Sequence, residues 1–442
     1  MYREITELLK KWKTKKNRKP LVITGVRQCG KTYIIKDFGK NEFSDAAYFM
    51  FEKNARLQAV FETDYDTRRI LSELELICGH KIEAGKTLVI FDEIQACPDA
   101  IASLKFFCEE CRELHIIAAG SLLGVEIGRE NISFPVGKVD RIQMYPMNFR
   151  EFMIAAGYGE LAVKASETPK GSELSDLYTI PLERELRNFY YVGGMPEAVG
   201  AWIDNHSVSD VDEIQRGLLD GYENDFSKHA PNAEVPRLRL LYKSIPEQLA
   251  KENNKFVFSH VKKSARAKEF ENSLSWLFDA GLAYKLCLVE NPCLPLSMYA
   301  NDSYFKLYMS DVGLLRCRTR VPYNDLVEWR SDSVYAGFRG AFTENFVLTE
   351  LLSYGIEPYF WRSGNSAEVD FLFENRGMAI PLEAKAEIRT KAQSYKNYCK
   401  KYHPTLGFRV SFKNVGINMM EDTESISLPL YMLWNISSYL SK

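Results

Sequence analysis

The stretch GVRQCGKT, from Gly25 to Thr32, decides the fold of the first third of the chain. It fits the pattern G-x-x-x-x-G-K-T, and it lies between an apolar strand, LVIT, and a helical stretch, YIIKDF. Glycines at positions 25 and 30 let the backbone turn tightly with its N–H groups pointing inward, and the helix N-terminus that follows adds partial positive charge. The alternative is an ordinary glycine-containing turn, which would not require a strand before it and a helix after it. Because both elements are present, the sequence predicts a loop that binds phosphate groups.

The residues of this loop have separate predicted uses. We expect the Lys31 ammonium to contact the β- and γ-phosphates of a nucleotide, and the Thr32 hydroxyl to bind Mg²⁺. ATP and Mg²⁺ are therefore the predicted cofactors. The predicted nucleotide-binding residues are Gly25, Val26, Arg27, Gln28, Cys29, Gly30, Lys31, Thr32 and Asp92.

Two acidic residues end a buried strand, LVIFDE. Because ligands of open parallel sheets bind at the carboxyl ends of the strands, we expect Asp92 to hold the Mg²⁺, directly or through water. Glu93 is expected to polarise the attacking water as a general base, and Ser121, after the strand HIIAA, to sense the γ-phosphate. Acidic residues also occur as solvated strand ends, but beside this loop they predict hydrolysis as well as binding.

The pattern around these motifs alternates β-rich and helical stretches through the first third of the chain. The β-rich runs are LVITG (21–25), AAYFMF (46–51), TLVIFDE (87–93), HIIAAGS (115–121) and DRIQMYP (140–146). Such alternation predicts an α/β fold with a mostly parallel sheet. The pattern is helical from about Asn148 to Ser227, and strands return at GLAYKLCLVE, EVDFLFE and IPLEAKA. Domains are predicted at 1–150, 151–230, 231–330 and 331–442.

The last quarter of the chain carries a second acidic pattern. Asp370 lies in EVDFLFE, and Glu383 and Lys385 lie in PLEAK, where strand alternation places them on one face. Two carboxylates and a lysine so placed can bind divalent ions that bridge a phosphodiester, with the lysine steadying the attacking water. This is the pattern D-x(n)-E-x-K, and Glu344 in the helix AFTENFVLTELL resembles its additional acid. The alternative is a structural cluster or a retired site.

A basic run at residues 251–268, KENNKFVFSHVKKSARAK, is the predicted contact with nucleic acid. It holds six Lys or Arg residues against one Glu, and the next helix has apolar residues at positions 270, 274, 277 and 278. A helix with one packed face, followed by an apolar strand, fits a winged helix-turn-helix that neutralises DNA phosphates. A solvated face or a protein-interaction module is the alternative. For the basic first 20 residues, a solvated amphipathic helix is the better interpretation.

Composition limits the class of protein. The 57 basic and 59 acidic residues leave a formal charge of −2, so a polyanion would have to meet a local basic patch. No apolar run approaches the ~18 residues that a membrane span needs, so no membrane partner is predicted. Nine scattered cysteines are typical of reduced thiols in a cytoplasmic protein. Cys108 and Cys111 form a C-x-x-C, but no second pair stands at zinc-finger spacing.

These motifs resemble a family of AAA-fold ATPases, found in bacteria and archaea, that couple an N-terminal P-loop domain to a C-terminal domain of unknown function. The resemblance covers nearly the whole chain and rests on GVRQCGKT, LVIFDEIQACP, AAGSLLG, FPVGKVDRIQMYPMNFREFM, YVGGMPEAV and FKLYMSDVGLL. It implies an AAA-type ATPase domain with a five-stranded sheet at 1–150 and a helical lid at 151–230. It further implies a winged-helix-like domain at 231–330 and a restriction-endonuclease-like α/β domain at 331–442.

The chain departs from the family pattern at one position. Lys138 follows Gly137 where an Arg is expected, which leaves the identity of an arginine finger open between Arg129 and Arg141.

Two functional classes remain open at this point. The first is an ATPase acting on DNA, in which ATP turnover drives or gates a metal-dependent nuclease with Asp370, Glu383 and Lys385 as catalytic residues. Its predicted metal ligands are Glu344, Asp370 and Glu383. The second is a nucleotide-dependent switch that binds partners and cuts nothing. A homo-oligomer is compatible with both.

Overall fold

The computed structural model describes residues 1–127, 134–251, 255–263, 265–329, 333–364, 367–387 and 392–440. The chain forms two compact units. Unit 1 comprises Met1–Pro146 and Trp276–Leu282, and unit 2 comprises Met147–Ser275 and Ala283–Lys442.

Unit 1 is built around a five-stranded sheet. Its strands are β1 (Leu21–Thr24), β2 (Asp45–Met50), β3 (Thr87–Asp92), β4 (His115–Ala119) and β5 (Asp140–Gln143). Its helices are α1 (Ile5–Thr14), α2 (Lys31–Glu42), α3 (Ala55–Glu62), α4 (Thr67–Cys78), α5 (Pro98–Glu110) and α6 (Leu123–Ile127). The strand order is β2-β3-β4-β1-β5 and every pairing is parallel. The predicted parallel sheet, with all five predicted strands, is confirmed.

Strand β3 is the best-packed part of this sheet. All six of its residues are buried, as expected for a central parallel strand covered on both faces. The Phe91 ring lies 5.5–6.5 Å from the rings of Phe49, Phe51, Phe61 and Phe107, measured between centroids. Burying one such side chain stabilises the fold by roughly 1.5–3 kcal/mol. This packing fixes the strand end at which Asp92 stands.

Unit 2 begins with a helical region, as predicted. The helices are α7 (Phe149–Ala155), α8 (Gly159–Glu167), α9 (Asp176–Val192), α10 (Pro196–Asn205), α11 (Val208–His229), α12 (Val235–Leu249), α13 (Phe258–Val261) and α14 (Ala267–Asp279), the last of which continues into unit 1. Helix α7 starts with a capping box, in which Asn148 and Glu151 each bind the other's backbone N–H.

The remainder of unit 2 contains a mixed sheet. Its strands are β6 (Ala283–Val289), β7 (Ala300–Met309), β8 (Pro358–Ser363), β9 (Ala367–Asn375), β10 (Met378–Ala384), β11 (Leu406–Ser411), β12 (Gly416–Met420) and β13 (Thr423–Pro429). The accompanying helices are α15 (Val312–Thr319), α16 (Tyr323–Glu328), α17 (Arg339–Ser353), α18 (Gln393–Tyr402) and α19 (Ile436–Leu440). The strand order is β12-β13-β11-β10-β9-β8-β6-β7.

This sheet spans the predicted boundary at residue 330. Strands β6 and β7 come from the region predicted as winged-helix-like, yet β6 pairs in parallel with β8, so both strands share one sheet with the C-terminal strands. The sequence gives no local sign of this pairing because the partners stand far apart in the chain. The strands predicted at GLAYKLCLVE, EVDFLFE and IPLEAKA are confirmed as β6, β9 and β10.

Candidate functional site

The phosphate-binding loop connects β1 to α2. Gly25 has φ +149°, and a Cβ there would lie 2.2 Å from the carbonyl oxygen of Met144. Gly30 has φ +97° and immediately precedes the first residue of α2. Both positions therefore require glycine, as the motif predicted. Gln28 also has a positive φ, +66°, so the loop is tightly wound.

Lys31 is buried at the start of α2. Its Nζ donates to the carbonyl oxygens of Gly25, at 2.7 Å, and Val26, at 2.9 Å. Both acceptors are neutral backbone oxygens of the loop itself. The positive charge of the ammonium is therefore available to phosphate oxygens.

Asp92 receives two hydroxyl groups on one carboxylate oxygen. Thr32 Oγ1 donates to Asp92 Oδ2 at 2.8 Å, and the Tyr48 hydroxyl donates to the same oxygen at 2.7 Å. Burial, followed by the bond to Asp92, raises the pKa of Tyr48, so the phenol stays a donor. The Thr32 hydroxyl and the Asp92 carboxylate are the hard oxygen ligands that Mg²⁺ prefers, and their convergence fits that ion.

Tyr48 is a site residue that the sequence analysis missed. It lies in β2, where Met50 pairs with Asp92 in the parallel register. The Lys36 ammonium lies 3.6 Å from the centre of the Tyr48 ring, which adds positive charge beside the site. A motif search along the chain does not find Tyr48, because only strand pairing brings it to Asp92.

Glu93 lies just beyond the end of β3 and has a left-handed backbone, with φ +49°. Gln95 Nε2 donates to Glu93 Oε2 at 2.5 Å, while the Ser121 amide and hydroxyl approach the same oxygen at 3.4 Å. The contacts from Ser121 are long for hydrogen bonds, so Gln95 is the main group that orients the carboxylate. The structure thus brings Glu93 and Ser121 together, and it adds Gln95, which the sequence analysis did not identify.

The remaining loop residues lie around this centre. Val26 and Cys29 are buried, and Arg27 is exposed. The Cys29 carbonyl accepts a bond of 2.8 Å from Arg3, which also donates to the Tyr145 carbonyl at 2.7 Å. Arg3 is buried, so this residue of the basic N-terminus fixes the back of the loop. The amphipathic helix predicted for this region is α1, which buries one face and exposes the other.

The candidates for an arginine finger have different environments. The Arg141 guanidinium lies 4.1 Å from the centre of the Phe134 ring, and Lys138 pairs with Glu109 at 2.6 Å. Arg129 lies outside the described residues. The identity of the finger stays a prediction.

The acidic pattern of the last quarter forms a compact ion cluster in unit 2. Lys385 Nζ lies 2.8 Å from Glu383 Oε1 and 3.3 Å from Asp370 Oδ2, and the Ala384 amide donates to Asp370 Oδ2 at 2.9 Å. Strands β9 and β10 are antiparallel with Leu382 opposite Phe371, which places Glu383 next to Asp370. The structure therefore brings Asp370, Glu383 and Lys385 together, as predicted.

A second lysine, which the sequence analysis missed, joins this cluster. Lys306 of β7 is buried and lies 2.7 Å from Glu368 Oε1 and 3.4 Å from Glu344 Oε2. The Tyr308 hydroxyl donates to Glu344 Oε2 at 2.7 Å. Both Lys306 and Tyr308 lie in the stretch FKLYMSDVGLL. They are two positions apart in β7, so strand alternation places both side chains on the same face of the sheet, and this spacing is the signal in the sequence that could have indicated them.

Burial dominates the electrostatics of this cluster. Desolvation, and then repulsion by Asp370, raises the pKa of Glu383 to about 8. Desolvation also raises the pKa of Asp370. Burial alone would lower the pKa of Lys385, but attraction by Asp370 and Glu383 outweighs it, and the pKa rises. Lys385 therefore stays charged between two acids that are costly to ionise.

The described part of the chain contains no group of three or more His, Cys, Asp or Glu side chains placed to hold a metal ion. In the C-terminal cluster, Lys385 lies between Asp370 and Glu383, and Lys306 lies between Glu344 and Glu368. Glu383 Oε2 is buried and has no hydrogen-bond partner among the residues that the structure describes. Metal binding by Glu344, Asp370 and Glu383 stays a prediction.

The basic run at 251–268 lies partly outside the described residues, since 252–254 and 264 are not described. Lys251, Lys262, Lys263, Arg266 and Lys268 are exposed. The helix predicted after this run is confirmed as α14, with Phe270, Leu274 and Leu277 buried and Phe278 half-buried.

Two predictions from composition can be compared with the structure. All nine cysteines are free, including Cys108 and Cys111. Among the helices that the structure describes, none is long and apolar enough to span a membrane.

Comparison with known proteins gives three matches to family models. Residues 17–153 match an AAA domain, residues 183–325 match a domain of unknown function (DUF8612), and residues 339–431 match another (DUF4143). No curated protein matches the chain.

Several solved structures are similar. A Walker-type ATPase of Pyrococcus abyssi has a TM-score of 0.43 at 13% identity, covering 72% of this chain and 95% of its own. The ORC2 protein of Aeropyrum pernix, as ADPNP–ADP complexes, scores 0.37 at 15% identity over 73% and 90%. The ORC1 protein of Aeropyrum pernix in complex with DNA scores 0.29 at 12% identity over 72% and 91%.

Scores of this size do not establish a shared fold over whole chains, and the assignment rests on the matched domain and the geometry of the loop. The parallel sheet, the glycine-dependent loop and the Thr32–Asp92 contact all lie within the residues that match the AAA model. Residues 17–153 match an AAA domain and have the parallel sheet and the loop geometry of a P-loop domain.

Proposed function

We propose that the chain hydrolyses ATP at the P-loop and uses the turnover to act on DNA. The observation that carries the ATPase part is the hydrogen bond from Thr32 to Asp92, which stands next to Glu93 in the chain, while the neighbouring Lys31 is buried. A phosphate-binding loop alone would support binding, but an acid positioned at the carboxyl end of β3 supports hydrolysis as well.

Each residue has one task in this proposal. Lys31 and the loop amides bind the phosphates, and Thr32 and Asp92 hold the Mg²⁺. Bound Mg²⁺ would neutralise charge on the phosphates and fix their geometry. Glu93 accepts a proton from the attacking water, and Ser121, whose hydroxyl approaches the Glu93 carboxylate, would sense the γ-phosphate.

Nucleotide binding tests the first step. Lys31→Ala removes the ammonium that contacts the phosphates, and we expect ATP binding at the P-loop and ATP hydrolysis both to be lost. Lys40→Ala is the matched control, because Lys40 is exposed on the same helix. Binding is measured by titration calorimetry and hydrolysis by phosphate release. Hydrolysis by Lys31→Ala at the wild-type rate would contradict the proposed site.

Support for DNA as the target is the exposed basic run. Five described Lys or Arg residues between 251 and 268 are exposed, although the chain as a whole carries a charge of −2. Such a local concentration of positive charge attracts nucleic-acid phosphates independently of sequence.

Free cysteines favour a reducing compartment, which agrees with a cytoplasmic protein.

A metal-dependent nuclease centre in unit 2 is a second candidate function. It is favoured by the shared position of Asp370, Glu383 and Lys385, and by the buried oxygen of Glu383 that has no partner. The carboxylates have the right chemistry for a divalent ion, but Lys385 lies between them, so it would have to move aside. The alternative is a nucleotide-dependent switch in which the ion pairs are structural.

A cleavage assay distinguishes the metal-dependent nuclease from the nucleotide-dependent switch. Wild type, Asp370→Ala and Lys385→Ala are incubated with single- and double-stranded DNA and RNA, with Mg²⁺ or Mn²⁺, with and without ATP. Asp422→Ala is the control, because Asp422 is an exposed acid of the same unit. Cleavage that disappears in both site variants supports the nuclease. Intact nucleic acid under every condition supports the switch.

A further inference from the structure

A cavity of about 710 Å³ opens in unit 2 between helices α9, α11 and α15. Its walls include four arginines, at positions 216, 316, 318 and 320, against two aspartates, at positions 212 and 220. The volume falls within the roughly 300–1,000 Å³ that is usual for small-molecule sites. The unusual property of this cavity is therefore its charge.

Two sequence signatures, YVGGMPEAV and FKLYMSDVGLL, meet beside the cavity. The Gly194 amide donates to Asp311 Oδ2 at 2.6 Å, and the Leu314 amide donates to Asp311 Oδ1 at 2.9 Å. A Cβ on Gly313 would lie 2.6 Å from the Gly193 nitrogen. Backbone contacts this close fix the start of α15 against the end of α9, and so fix the arginines that α15 carries.

Arg316 is a rigid part of the wall. Its Nη1 donates to Asp212 Oδ1 at 2.7 Å and its Nη2 donates to Gln215, while its guanidinium carbon lies 3.8 Å from the centre of the Tyr191 ring. The Arg316 side chain is 4% exposed, and its Nε is buried without a partner. Both terminal nitrogens of Arg316 are bonded within the protein, so this residue contributes a fixed positive charge to the wall.

The other three arginines differ in how their charge is balanced. Arg318 pairs with Glu223 at 2.8 Å, and its Nε is also buried without a partner. Arg216 and Arg320 are exposed at the cavity, and neither forms an ion pair with any carboxylate in the described part of the chain. Arg216 donates only to the backbone carbonyl of Asp212. The cavity thus holds positive charge that the protein itself does not neutralise.

We propose that this cavity binds a small phosphorylated ligand with at least two phosphoryl groups, of about nucleotide size. Guanidinium groups bind phosphate oxygens in pairs of parallel hydrogen bonds, and several of them at one site suit a ligand with several charges. The volume of about 710 Å³ matches a small molecule, and the arginine charge is confined to this cavity. The site belongs to unit 2 and is separate from the P-loop of unit 1.

Calorimetry with inorganic pyrophosphate tests this proposal in the full chain. In a Lys31→Ala background, which removes the P-loop site, pyrophosphate should still bind, and Arg216→Ala/Arg320→Ala should weaken that binding at least tenfold. Both arginines are exposed, so the double variant should keep its fold. The matched control is Arg239→Ala/Lys400→Ala, which removes two exposed positive charges elsewhere in unit 2 and should leave binding unchanged.

A second background covers the case in which Lys31→Ala does not fold. With Lys31 intact, the double variant should lower the number of pyrophosphate sites from two to one. ADP is titrated in parallel, and tighter binding of ADP than of pyrophosphate at the arginine-dependent site would identify the ligand as a nucleotide. Equal pyrophosphate binding by the double variant and the control would overturn the proposal. Arginine-dependent binding of a single-stranded oligonucleotide, without binding of pyrophosphate, would also overturn it.

Discussion

Glu93 combines a strained backbone with a held side chain. A left-handed conformation costs a residue with a Cβ roughly 1–2 kcal/mol, and such outliers persist where the surroundings enforce them. At this position φ is +49°, and the Gln95 side chain bonds to the carboxylate. A Cβ on Gly120 would lie 1.9 Å from Gln95 Oε1, so the glycine leaves room for Gln95 to reach Glu93.

Gln95 is therefore expected to be a positioning residue. Gln95→Ala should lower kcat for ATP hydrolysis about tenfold or more while the Kd for ATP is unchanged, because a displacement of about 1 Å at a reacting group costs on the order of 10²-fold in rate. Steady-state hydrolysis and calorimetric ATP binding check this. A parallel loss of binding and rate would instead show that Gln95 supports the fold of the loop.

His115, a buried residue at the start of β4, makes the free energy of unfolding depend on pH. The His115 ring packs edge-on against Trp12 and Phe43. Burial, and then the charge of Arg18, lowers the pKa of His115 from 6.5 to about 4. Between these values the unfolded chain binds a proton that the folded chain does not, so stability is full above pH 6.5 and falls as the pH is lowered towards about 4.

His115→Phe keeps a ring at this position and removes the titration. Urea unfolding of wild type and variant between about pH 4 and pH 6.5 should show a steeper acid loss of stability for the wild type. Parallel curves across this window would mean that the pKa of His115 is the same in the folded and the unfolded chain.

At the scale of elements, the junction between α9 and α15 depends on glycine. Gly313→Ala would place a Cβ 2.6 Å from the Gly193 nitrogen and from the Val192 carbonyl oxygen. We expect this overpacking to lower the free energy of unfolding by about 1–3 kcal/mol, measured by urea denaturation.

Gly217→Ala is the matched control for this prediction. Gly217 lies inside α11, and a Cβ there would meet nothing within 4 Å. Since alanine is the better helix former, this substitution should stabilise by roughly 0.5–1 kcal/mol. If both alanine variants lost the same stability, the close contact at Gly313 would not be the cause.

The elements of unit 1 could be predicted because their signals are local. The P-loop, the five strands and the acids Asp92 and Glu93 each follow from a short motif or a run of apolar residues. Tyr48 and Arg3 could not be predicted, since strand pairing and packing bring them to the site. Gln95 stands only two residues after Glu93, and its contact depends on the turn that follows β3. Lys306 and the pairing of β6 with β8 were missed for the same reason, because their partners stand far away in the sequence.

For the molecule as a whole, the proposed DNA contact at residues 251–268 predicts a salt-dependent affinity. Lys262→Ala/Lys263→Ala removes two exposed charges of the basic run and should weaken binding of double-stranded DNA. The slope of log Kd against log salt concentration should fall by about 0.9 for each lost phosphate contact. Lys400→Ala/Lys413→Ala is the control, since both lysines are exposed outside the run. Equal slopes for both double variants would remove 251–268 as the DNA contact.

ATP turnover by the full chain depends on Glu93 in this account, and the Glu93→Gln variant is the sharpest test of it. Glutamine keeps the shape of the side chain and cannot accept the proton from water. ATP should bind with unchanged Kd, while hydrolysis in the presence of Mg²⁺ should fall by about 10²- to 10⁴-fold relative to wild type. Equal hydrolysis rates for wild type and Glu93→Gln would contradict the assignment.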